Sequence, residues 1–295
     1  MNWENCLKSY YNYILIERNL SVNSVKAYMK DLQQFAKFNN SIKPLKVNRQ
    51  HILNYINDIN NKNINPRTQA RILSSIKSLY NFLIFDNKIK DDPCKHISSP
   101  KIGSKLPEIL TVKEVDLIIK CIDLSEEYGE RNRAIIECLY SCGLRVSELV
   151  SLKISNIEHD DRIIKVIGKG KKQRIIPLSK TLYKYLKDYV KYIRSKQTPN
   201  KENIDIIFLN RRNKKLSRVM IFNIVKKYSN LAGIKKNVSP HTFRHSFATH
   251  LVEGGADLRV VQEMLGHANI TTTEIYTHLN NQYLREEIIN YHPRA

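Results

Sequence analysis

Apolar residues in the first ninety positions recur at helical spacing. Leu7, Tyr10, Tyr11, Ile14 and Leu15 lie on one face of a helix over about 4–18. Ser21 suits the N-cap of a second helix, whose stripe is Val25, Tyr28, Met29, Leu32, Phe35 and Ala36. A third helix is predicted over about 48–60. Pro66 fits the first turn of a fourth, where its missing N–H costs nothing, and the stripe continues through Ile72, Ile76, Leu79, Tyr80 and Leu83. None of these helices can bury its stripe alone, so residues 1–90 are expected to form a small bundle.

The period is lost over 91–107. The stretch DDPCKHISSPKIGSKLP holds three prolines and reads as a linker. From 108 the pattern is mixed. Thr111 with Glu114 has capping-box spacing for a helix to about 120, and 131–141 reads as an apolar helix ending near Gly143. RIIKVI (162–167) and QRIIPL (173–178) read as strands joined by a Gly-Lys-Gly-Lys-Lys turn. Helices are predicted at about 180–195, 217–231, 240–253, 257–265, 271–278 and 281–290. The expected fold class is mainly α with a small β-hairpin or sheet in the C-terminal domain: a helical bundle followed by an α+β domain over 108–295.

Composition narrows the function. No apolar run reaches the eighteen residues of a membrane span, and the N-terminus lacks signal-peptide character. Five cysteines at irregular spacing do not make a disulfide framework, so a reduced, cytoplasmic protein is expected, without membrane insertion. The formal net charge is +21, from 49 Lys and Arg against 28 Asp and Glu. Such an imbalance favours a polyanion. The chain is also rich in Lys, Asn and Ile, so a bias in composition is the alternative. Arg67, Arg71 and Lys77 on the fourth helix fit either a phosphate backbone or a solvated face.

Several chemistries are missing. There is no GxxxxGK[ST] loop, no GxGxxG after a strand and no HExxH. Cys138 and Cys142 lack a second ligand pair and read as core residues. No acidic cluster suggests a two-metal nuclease, and no cofactor is expected. What remains is a dispersed set of donors. His241 and Arg244 lie three apart on one helix face after Ser239-Pro240. His267 follows a helix-ending glycine, and Tyr276 comes nine residues later. Arg145 follows Gly143, and Lys169 sits at a hairpin tip. Each alone has a plainer reading as a helix-end histidine, a salt-bridge arginine such as Arg145 with Glu148, a turn lysine or one of 16 tyrosines. Together they suit attack on a phosphodiester. Two guanidinium forks match the phosphoryl oxygens, tyrosine is a nucleophile that needs help losing its proton, and a lysine can protonate the departing oxygen.

These residues sit in stretches that resemble the boxes of the tyrosine recombinase (phage integrase) family: GLRVSELVSL (143–152), VIGKGKKQRIIPL (166–178), SPHTFRHSFATHL (239–251), LGH (265–267) and TTTEIYTH (271–278). NLSVNSVKAYMKDL resembles the family's core-binding domain. The ending YHPRA, with GADLRVVQEMLGH, is similar to the Xer branch. The resemblance implies a two-domain clamp on double-stranded DNA. It makes Tyr276 the nucleophile, Arg145 and Arg244 the phosphate-binding pair, Lys169 the general acid, His241 the acid–base histidine and His267 a second phosphate-site donor. Glu148 matches a supporting position. The helix after Ser217 is similar to the one that enters the major groove, which makes Arg218 a base-reading candidate; Lys226 and Lys227 on it fit either phosphate contacts or solvated lysines. The last helix resembles a segment that docks on a neighbouring protomer, with packing on its own domain as the alternative. The implied partners are a recombination site, a XerC-like recombinase in a heterotetramer and a septal, FtsK-like DNA translocase. A mobile-element integrase and a DNA-binding protein without catalysis are the other readings.

Overall fold

The computed structural model describes residues 1–18, 20–100, 103, 108–168, 173–266 and 281–295. They form two compact units, Met1–Lys105 and Leu106–Ala295.

The first unit is helical throughout. Its helices are α1 (Trp3–Asn12), extended by a π-helical turn to Glu17, α2 (Val22–Phe38), α3 (Arg49–Asn61) and α4 (Pro66–Phe85). Ser21 caps α2 by accepting from the Ser24 amide, and Pro66 opens α4 as expected. The stripes meet in a core where Tyr10, Leu32, Phe35, Ile76 and Tyr80 are fully buried. Each such side chain stabilises the bundle by roughly 1.5–3 kcal/mol. Cys94 and Ile97 also belong to this core, and Lys77 Nζ donates to the Ile97 carbonyl at 2.7 Å. The chain therefore packs with the bundle well past residue 91.

The second unit contains α5 (Val112–Lys120), α6 (Gly129–Ser141), α7 (Val146–Leu149), the strands β1 (Ile157–Glu158), β2 (Ile163–Ile167) and β3 (Gln173–Pro177), then α8 (Lys180–Asp188), α9 (Arg218–Leu231), α10 (Pro240–Gly254), α11 (Leu258–Leu265) and α12 (Asn281–Tyr291). The fold is mainly helical with a small antiparallel sheet ordered β1-β2-β3. In the hairpin, Ile163 pairs with Pro177 and Ile167 with Gln173. β1 adds two residues at its edge, too few to show alternation in a sequence. α6 is apolar on nearly all sides and fully buried through Ile135, Ile136, Cys138, Leu139 and Tyr140, which makes it the central helix. Burial pushes the Cys142 thiol up to about 12, as expected of a core cysteine. All five cysteines are unpaired. No helix among the described residues is long and apolar enough to cross a membrane.

α12 packs on its own domain, with Leu284 and Ile288 in the core. The tail beyond it is pinned. Arg294 donates through Nε at 3.0 Å and through Nη2 to the two oxygens of Glu137, which is fully buried, and through Nη1 to Asp116.

Candidate active site

The site is built on two glycine turns. After α6 the chain turns through Gly143 in the left-handed region, at φ +54°. A Cβ there would lie 2.5 Å from the Phe247 ring, so only glycine fits. The turn delivers Arg145 to the start of α7, where its amide and its Nη1 each donate to Glu148 at 2.8 Å. α11 ends on the second glycine, Gly266, at φ +65°. A helix end leaves carbonyls without intrahelical partners. Here three consecutive ones are each met by a different arginine. Arg174 Nε donates to Met264 O at 2.7 Å, Arg244 Nη2 to Leu265 O, and Arg145 Nη2 to Gly266 O at 2.9 Å. Arg244 Nη1 also reaches Gly143 O at 2.6 Å, which ties the two turns together. Cations at a helix C-terminus are favoured by its dipole.

Glu148 holds the arginines together. It is buried and accepts from the Arg145 amide, Arg145 Nη1, Arg174 Nη1 and Arg174 Nη2, all at 2.8 Å. Four bonds use the lone pairs of an ionised carboxylate. Burial alone would raise its carboxyl, but the hydrogen bonds and charge of Arg174, then those of Arg145, outweigh it and hold Glu148 below the usual range. Arg244 is pushed down to about 10, first by desolvation and next by Arg145, and so stays charged at neutral pH. Three guanidiniums face one carboxylate, a surplus of two positive charges. Of the five N–H donors on each guanidinium, Arg145 and Arg244 each commit two to described partners. Such a partly buried cationic cluster with donors in reserve suits an oxyanion, and a phosphate above all.

The structure brings Arg145 and Arg244 to adjacent carbonyls at the end of α11. His241 lies exposed in the first turn of α10, three residues before Arg244, on a helix capped by Ser239. Lys169, His267, Tyr276 and the helix expected over 271–278 fall outside the described residues. On the bundle, Arg67 is exposed and no described residue pairs with its guanidinium, whereas Arg71 forms an ion pair with buried Asp31, which also accepts from Ser75. Arg218 and Lys226 are exposed on α9, beside exposed Val219, Met220 and Phe222. Sequence reasoning passed over Arg174. The sequence shows only a charged residue beside Ile175 and Ile176 in β3, which does not name its partners.

Comparison with known proteins gives the family. Residues 108–283 match the phage integrase family and residues 7–87 its N-terminal SAM-like domain. The chain belongs to the phage integrase family. This recombinase is 40% identical over 293 residues to the tyrosine recombinase XerD of Listeria monocytogenes, covering 98% of the chain and 99% of that protein. It is also similar to the XerH site-specific recombinase bound to a palindromic difH substrate in a post-cleavage complex. There the identity is 25%, the TM-score 0.71, and 91% of this chain and 80% of that one are covered. A lambda integrase dimer bound to a core site shares the fold, with a TM-score of 0.71 at 18% identity, covering 95% and 100%. This recombinase is therefore a DNA-cleaving and rejoining enzyme of the site-specific tyrosine type.

Proposed function

We propose that this recombinase cuts one DNA strand by attack of the Tyr276 phenolic oxygen on a phosphodiester. The new bond is Tyr Oη–P and the broken one is P–O5′. The strand is left with a 3′-phosphotyrosyl link and a free 5′-hydroxyl. Arg145 and Arg244 bind the non-bridging oxygens, and His267 adds a further donor. His241 takes the phenolic proton, and Lys169 supplies one to O5′. Reversal by a second 5′-hydroxyl rejoins the strand without ATP, because the ester conserves the bond energy. The observation that carries this reading is the convergence of Arg145 and Arg244 on the end of α11, ten residues before Tyr276.

Arg218 on α9 reads a base in the major groove, Arg67 and Lys226 neutralise phosphates, and Arg71, its charge matched by Asp31, offers a phosphate only its remaining N–H donors. The likeness to XerD proteins along nearly the full chain supports a Xer role. In that role the enzyme pairs with a XerC-like recombinase as a heterotetramer on two DNA sites and exchanges strands through a Holliday junction. It resolves chromosome dimers at division when a septal, FtsK-like translocase engages it. A nicked suicide substrate tests the chemistry. The wild-type protein is expected to form a covalent adduct mapping to Tyr276, and Tyr276→Phe none. An adduct in that variant assigns the nucleophile elsewhere.

A further inference from the structure

Arg174 is the one arginine of the cluster without a role so far, and it is the most fully used. Its side chain is 9% exposed and spans three segments. Both Nη atoms hold Glu148 on α7, Nε holds the Met264 carbonyl of α11, and its backbone lies in β3, paired with Val166. Its Cδ also lies 3.1 Å from the position a Cβ would take on Gly266. The bonds are bidentate and charge-assisted, the strongest class of side-chain contact.

The consequence is electrostatic. Glu148 is buried and ionised, and a buried carboxylate must be matched by positive charge. Arg174 on both oxygens of Glu148 matches its charge, so Arg145, although its Nη1 also donates to Glu148 at 2.8 Å, adds an uncompensated positive charge to the cluster. Without Arg174, Arg145 becomes its sole described ion-pair partner, and the cluster surplus falls from two charges to one.

We propose that Arg174 is a positioning residue for strand cleavage: by matching the charge of Glu148 it leaves the positive charge of Arg145 uncompensated, with donors in reserve for the scissile phosphate, and it fixes the turn end of the β2–β3 hairpin to the end of α11. This rests on the reading of Arg145 as a phosphate donor. Arg174 touches no substrate in this scheme and acts through Glu148.

The test is single-turnover cleavage of a nicked suicide substrate by the full chain, with DNA affinity and urea unfolding measured in parallel. Arg174→Gln should cleave roughly ten- to a hundredfold more slowly, an indirect loss smaller than that of a direct oxyanion donor. DNA affinity should stay within about threefold, since most phosphates are bound elsewhere. Arg174→Lys, which keeps the charge without the fork, should fall between. The deciding variant is the double change Glu148→Gln with Arg174→Gln. It restores a surplus of two charges and leaves an uncharged hydrogen-bonding pair, so cleavage should recover at least about threefold over Arg174→Gln alone. Contacting residues couple in stability as well, so a purely structural role predicts instead that cleavage tracks the urea midpoint across the single and double variants. Wild-type cleavage by Arg174→Gln, or a folded double variant that remains as slow as the single one, overturns the proposal. Should Arg174→Gln fail to fold, the folded double variant is compared with wild type, and a rate more than about thirtyfold lower overturns it. Wild-type cleavage by Arg145→Ala instead refutes the phosphate-donor reading itself, and the proposal with it.

Discussion

Replacing Arg244 should separate its two duties, holding the site together and binding phosphate. The side chain is 8% exposed and donates to Gly143 O and Leu265 O. Arg244→Ala leaves two carbonyls without their partner, each costing about 1–3 kcal/mol when buried. Part of that is returned, because removal also relieves the desolvation and the Arg145 repulsion that hold Arg244 down at about 10. A net loss of about 2–4 kcal/mol follows, within the roughly 5–15 kcal/mol that keeps a domain folded. The catalytic loss is separate. An oxyanion donor removed from a preorganised site costs about 2.7–4 kcal/mol of barrier, or a hundred- to a thousandfold in rate. Arg244→Lys keeps the charge but not the planar fork, and should lie between wild type and alanine in both measurements. Urea unfolding reads the first quantity and single-turnover adduct formation the second. An alanine variant that melts at the wild-type midpoint and cleaves at the wild-type rate would refute both assignments.

Two further outcomes follow from the same structure. Burial, then the nearby His250, depresses His292 from 6.5 to about 3, so the folded protein keeps it neutral while the unfolded chain takes up a proton below pH 6.5. Stability is therefore full above that pH and falls as pH drops towards 3, by about 2 kcal/mol between pH 6.5 and 5. Urea unfolding across this range should show a steeper loss in wild type than in His292→Leu, and parallel curves would contradict it. DNA affinity should fall steeply as salt rises from 50 to 200 mM, in proportion to the phosphates neutralised; a flat profile would argue against a phosphate-dominated interface.

Much of this was legible in the sequence, for physical reasons that can be named. Ser21, Pro66 and the Thr111–Glu114 box mark helix starts because their side chains or missing N–H groups answer the backbone locally. Arg145 and Arg244 could be paired only through the resemblance of GLRVSELVSL and SPHTFRHSFATHL to the family's boxes, since each arginine alone also reads as a salt-bridge partner. Arg174 could not be found this way, since its partners lie 26 and 90 positions away and nothing local reports them. The helix expected over 180–195 runs as α8 only to Asp188, then widens to a π-helical turn through Ile193. That change lets Tyr189 bury its ring and donate to Ile207 O, a tertiary demand that periodicity does not carry. Lys77 shows the same limit: its charge fitted a phosphate backbone or a solvated face, yet its ammonium donates to the Ile97 carbonyl.

The pinned tail bears on how the enzyme is handled. Arg294 is the penultimate residue, and the amide of Ala295 is tied to His292 O at 3.1 Å. A purification handle or fluorescent fusion attached after Ala295 would emerge beside the Glu137 ion pair, whose rupture strands a buried anion at about 3–5 kcal/mol. A preparation that disturbs this segment should be expected to misreport melting behaviour.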